Sequence, residues 1–80
     1  MKKSSIKEAV LFITGNKQSV KLQGKKEKVK AYLDVLIASK DLYEALNQKN
    51  VTLNEVKYLV EKKKKFAIAY KMKTNEDWVL

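Results

Sequence analysis

AVLFITGNKQSVKLQG (residues 9–24) can be folded in two ways, and the choice decides the architecture. The run AVLFIT is rich in β-branched and aromatic residues, and SVKLQG alternates Val20 and Leu22 with lysine and glutamine. Between them Gly15 and Asn16 tolerate positive φ, as a tight hairpin turn requires. A helix is the alternative, and it starts earlier. Ser5-Ile6-Lys7-Glu8 matches a capping box, and Ile6, Ala9, Val10 and Ile13 fall at helical spacing ahead of Gly15. Short apolar runs do not separate strand from helix by pattern alone. The β-hairpin is preferred here, with the helix left open.

Downstream of Gly24, KKEKVKAYLDVLIASKDLYEALNQ holds no glycine or proline and predicts a long helix. Its apolar positions are Val29, Tyr32, Leu33, Val35, Leu36, Leu42, Tyr43 and Leu46. At 100° per residue they cover well over half the circumference, wider than the stripe of an ordinary surface helix. Ile37 lies beyond even that, among Asp34, Asp41 and Glu44. So wide an apolar girth needs two neighbours, which predicts a homodimer with this helix at its centre.

Residues 47–50 read as a loop. Thr52-Leu53-Asn54-Glu55 is then a second capping box, opening a helix through Val56, Leu59 and Val60. Continued through KKKKFAIAY to about Lys73, this helix puts Leu53, Val56, Val60, Ala67 and Tyr70 on one face, bordered by Leu59 and Phe66. Lys63 then falls inside the apolar stripe. A lysine can bury its stem and keep its ammonium wet, so the helix is retained. Ending it near Lys62 would instead leave Phe66, Ile68, Tyr70 and Met72 alternating as a strand. The tail TNEDWVL is expected to fold back, with Trp78 and Leu80 as docking groups.

With 80 residues the chain makes one domain, 1–80, whose core is small. There is no cysteine or histidine, so disulfides are excluded and a structural zinc site is disfavoured. Self-association is the remaining way to add stability. No segment approaches the roughly 20 apolar residues that span a bilayer, and Glu8 interrupts the basic start before a signal-peptide core can form. A cytoplasmic protein is expected, without a membrane partner.

The net charge is +9, and all 18 basic residues are lysines. Residues 1–30 hold nine lysines against Glu8 and Glu27 (+7), residues 31–60 hold three against four acids (−1), and residues 61–80 hold six against three (+3). Lysine-rich codon usage can raise the total; it explains the uneven distribution less well. A near-neutral middle between two basic ends points to an anionic partner, nucleic acid first. Lys25, Lys26, Lys28 and Lys30 crowd the start of the first long helix, where each cation opposes the macrodipole by about 0.3–1 kcal/mol when exposed. Choices that are locally unfavourable tend to mark function. An anion there would meet free N–H groups, the positive dipole end and several ammonium groups together. Lys62, Lys64 and Lys65, followed by Lys71 and Lys73, form a second basic set. That set has a structural explanation of its own, because cations near a helix C-terminus are favourable and Glu61 can pair with Lys65.

Catalysis is poorly supported. Histidine and cysteine are missing, Gly15 and Gly24 make no phosphate loop, and Asp34, Asp41 and Glu44 read as a solvated face. No cofactor is expected. Lysine without arginine suits point-charge contacts to a phosphate backbone rather than bidentate base recognition. The expected binding is sequence-tolerant and falls steeply with salt. Tyr32, Tyr43, Tyr58 and Tyr70 could stack on bases, though each also fits a core or rim position.

VLFITGNKQSVKLQ leading into GKKEKVKAYLDVL, in a short chain that uses lysine for arginine, resembles the small early proteins of tailed phages that neutralise host defence factors. In general character it is similar to the RNA-binding antitoxins among them. That resemblance implies RNA ahead of DNA, a host toxin or nuclease as a further partner, and the host cytoplasm as the setting; it assigns no residue a role. The expectation is therefore an α+β domain, a β-hairpin followed by two α-helices, forming a homodimer and binding nucleic acid without catalysis. A second expectation is a protein-binding inhibitor or adaptor of a nucleic-acid-processing enzyme, anchored by Ile37 or by Trp78–Leu80.

Overall fold

A computed structural model describes Lys3 and residues 5–80. Three helices follow one another: α1 (Ile6–Ile13), α2 (Lys26–Leu46) and α3 (Leu53–Thr74). The described residues contain no strand, only an isolated bridge at Gln23. The expected β-hairpin is therefore wrong, and the all-helical alternative holds. Local chemistry explains the outcome. Ser5 Oγ accepts from the Glu8 N–H at 3.2 Å, closing the start of α1. At its end the Gly15 N–H donates to the Phe12 carbonyl at 3.1 Å and the Asn16 N–H to the Leu11 carbonyl at 2.8 Å. Those two bonds, with Gly15 at φ +83°, form a Schellman terminator. Gly-Asn thus ends a helix here and does not turn a hairpin. The alternation after it is real but has no partner strand among the described residues: Val20 and Leu22 drop onto the core from an extended segment, and Lys21 and Gln23 stay exposed.

The long helices form an antiparallel hairpin, with the Tyr32 ring 5.8 Å from that of Tyr70. The turn lies at the opposite end, where Ala45 shares a cleft with Tyr58 and Leu59. Ala31, Ala38 and Ala45 recur every seventh residue on α2 and are all buried. A row of methyl groups lets the helices approach closely. On its other side α2 takes α1, whose Ala9 and Phe12 are buried and whose Phe12 ring lies 5.0 Å beneath the Lys40 ammonium. The two neighbours that the girth of α2 requires are thus α1 and α3, both in the same chain, leaving Ile37, Tyr43 and Leu46 exposed on it.

Helix α3 ends at Thr74, close to the expected limit. Asn75 then takes the left-handed conformation at φ 59° and reverses the chain. The tail docks as expected. Trp78 stands edge-on to Tyr32 and Tyr70, with centroids at 5.4 and 5.8 Å. Its indole N–H donates to Ser39 Oγ at 3.2 Å, and the Ser39 hydroxyl donates to the Val35 carbonyl at 2.8 Å. A serine buried on α2 is thereby satisfied. Leu53, expected on the buried face of α3, is 70% exposed, far from the end of that helix where Trp78 packs on Tyr70.

Candidate nucleic-acid interface

α2 starts without a cap. Lys25 occupies the N-cap position in extended conformation and its side chain makes no capping hydrogen bond, since an ammonium has no acceptor. Among the described residues the first N–H groups of the helix have no side-chain acceptor. Lys26, Lys28 and Lys30 follow within a turn and a half. Because α2 and α3 run antiparallel, the last turn of α3 reaches the same end and brings Lys71 and Lys73 with it. Six of the nine candidate lysines therefore gather at one end of the molecule, an association that their separation in sequence hides.

Lys62, Lys64 and Lys65 lie about 12–16 Å back along α3 from Lys73. They do not make a single patch. Lys62 lines a cleft with Asp34, Ile37, Asp41 and Phe66. It borders a second cleft with Tyr58, Glu61 and Lys65. Lys64 is exposed on the opposite flank, as the 200° between it and Lys62 dictates. Lys63 has its stem in the apolar stripe and donates from Nζ to the Leu80 carbonyl at 2.6 Å. Four lysines in single file are thus divided between a tail clamp, a cleft wall and two solvated positions.

Among the described residues, Lys25, Lys26, Lys28, Lys30, Lys62, Lys64, Lys65 and Lys73 have no carboxylate within 4 Å. The expected Glu61–Lys65 pair is absent there, and the i,i+4 pair that forms is Lys40–Glu44 on α2, at 3.9 Å. Lys71 is different. Its Nζ lies 2.7 Å from Asp77 Oδ1, so the returning tail brings an acid onto the basic end. Beside it, Lys3 pairs with Glu76, and the Tyr70 hydroxyl donates to Glu76 Oε2 at 3.2 Å. The hydrogen bond from Lys3 holds the Glu76 carboxyl below its ordinary range, and the same bond raises Lys3. Burial pushes the Tyr70 hydroxyl up. These acidic contacts were not anticipated, though the pair Glu76-Asp77 just past a lysine-rich helix end is a visible signal.

The tyrosines divide. Tyr32 and Tyr70 are core and offer no face to a base, whereas Tyr58 is 65% exposed beside Lys62 and Lys65. Trp78 and Leu80 are partly buried and pack against the core, and Val79 between them is exposed. Among the described residues no helix is long and apolar enough to cross a membrane. Comparison with protein-family models, curated proteins and solved structures returned no match.

Proposed function

We propose that this protein binds RNA without catalysis, holding the phosphate backbone at the end where α2 begins and α3 finishes. One observation carries the proposal: Lys25, Lys26, Lys28, Lys30 and Lys73 gather there with no carboxylate partner among the described residues, beside a helix start that has no cap. Cations held apart from anions, against the local macrodipole, are stabilised when phosphates arrive. Lys64 extends the positive surface along α3. Ammonium groups without guanidinium favour backbone contact over base reading. RNA is placed ahead of DNA on the resemblance to small phage proteins, and a bound RNA could link this chain to a host toxin or nuclease in a cytoplasmic setting.

The test is binding of labelled RNA and DNA of equal length across a salt series, with the chain carrying Lys25→Gln, Lys26→Gln, Lys28→Gln and Lys30→Gln beside the unsubstituted one. The native chain should bind at low salt, and the variant's log K against log salt slope should be shallower by about 3 (about 0.7 per single-strand phosphate contact). The variant should also be the more stable of the two. A native chain that never retards RNA at low salt, or a variant that binds undiminished, overturns the proposal.

A further inference from the structure

The face of the α2–α3 hairpin turned away from α1 and the tail carries its charges in two rows. On α2 stand Asp34, Ile37 and Asp41; on α3 stand Tyr58, Glu61, Lys62 and Lys65, with Phe66 between the rows. Ile37 is 47% exposed among acids, and Tyr58 is more open still. Asp34, Asp41 and Lys62 line one cleft, yet none of them makes an ion pair among the described residues. Phosphate is a poor occupant for a surface with an acidic row along one side. A surface with Asp34 and Asp41 on one side, Lys62 and Lys65 beside Glu61 on the other, and Ile37 and Phe66 at its centre fits a copy of itself.

We infer that this face is the interface of a homodimer whose two-fold axis runs parallel to the long helices. Rotation about such an axis exchanges left and right but keeps the helix direction, so α2 of each copy lies against α3 of the other. Residues level within one chain stay level across the interface. The shared cleft places Ile37 level with Phe66, and Asp41 level with Lys62. Across the axis Asp41 therefore meets Lys62 of the second copy, Ile37 meets its Phe66, and Asp34 comes within a turn of its Lys65. A two-fold running across the helices would set α2 on α2, with Asp34 against Asp41. Like charges facing each other reject that arrangement.

The dimensions allow it. Helices of 21 and 22 residues are each about 30 Å long. Side by side they offer roughly 600 Å² per copy, enough for a modest specific interface. The arrangement also sets the two basic ends next to each other at one end of the dimer. The inference does not depend on RNA binding, since it concerns mass alone.

Sedimentation of the nuclease-treated full chain tests it. The native protein at tens of micromolar should run at twice 9.3 kDa. Asp41→Lys and Lys62→Asp should each weaken dimerisation at least tenfold, and the two together in one chain should restore it. Ile37→Lys, at an exposed position, should give a monomer with unchanged helix content by circular dichroism, separating lost association from lost folding. A native chain that stays at 9.3 kDa up to several hundred micromolar overturns the inference, as does a dimer that survives every variant or a charge exchange that fails to rescue. A Lys62→Asp chain that keeps the native dimer mass but loses RNA affinity assigns the face to RNA and overturns it as well.

Discussion

At the start of α3 the Thr52 hydroxyl accepts from the Glu55 N–H at 3.2 Å, and at the start of α1 Ser5 does the same for Glu8. At the start of α2 the equivalent position is Lys25, whose side chain can accept nothing. Both capped helices have an acid at the third position, where it suits the macrodipole; α2 has Lys28 there. Two helix starts out of three follow the rules of local stability, and the third breaks them with four lysines. The contrast teaches that α2 is held at its first turns by tertiary packing. Tyr32 sits under Trp78 and Tyr70, and that contact leaves the preceding turn free to carry charge.

Removing the packing should break the contrast most severely. Trp78→Ala deletes the ring that closes on Tyr32 and leaves Ser39 without its indole donor; we expect a loss of about 3 kcal/mol. Amide exchange should rise at Val29–Leu33 far more than at Val56–Val60. Equal loosening of both helix starts would mean that α2 is not specially dependent on the tail.

Giving α2 a cap should sharpen it. Lys25→Asp supplies an N-cap acceptor and a favourable charge, raising stability by about 1 kcal/mol in thermal unfolding while weakening RNA binding several-fold. Destabilisation by this change would show that Lys25 has a structural role. Removing a cap that already works should do the opposite. Thr52→Ala is expected to cost about 1 kcal/mol, a fall of roughly 4–8 °C in Tm, with RNA affinity untouched.

The smallest effect concerns the acid that the tail brings to the basic end. Asp77→Asn frees Lys71, so the salt slope of RNA binding should steepen by about 0.7, one phosphate contact. An unchanged slope would place Lys71 outside the interface.

Much of the fold was legible locally. The capping box at Thr52, the reach of α3 and the docking of Trp78 follow from residue types and spacing within a few turns; the capping box at Ser5 was visible but was set below the hairpin. The segment 9–24 was not legible as a hairpin or a helix from its pattern. AVLFI has the composition of a strand, and Val20 and Leu22 alternate like one, but pairing depends on a partner edge, and the described residues supply none. The interface was half legible. The excess of lysine at residues 25–30 is plain on the page, whereas its meeting with Lys71 and Lys73 depends on helix direction, and the intrusion of Asp77 depends on the left-handed turn at Asn75.

Residue order by itself marked the start of α3 and the neighbourhood of its end, because capping and charge–dipole effects act over three or four residues; it left residues 9–24 open between strand and helix. Only tertiary structure decided which lysines share a surface, which one clamps the tail, and that α1 and α3 cover the broad apolar girth of α2. Those outcomes depend on contacts between residues far apart in the chain, such as Trp78 with Ser39, which no local pattern encodes.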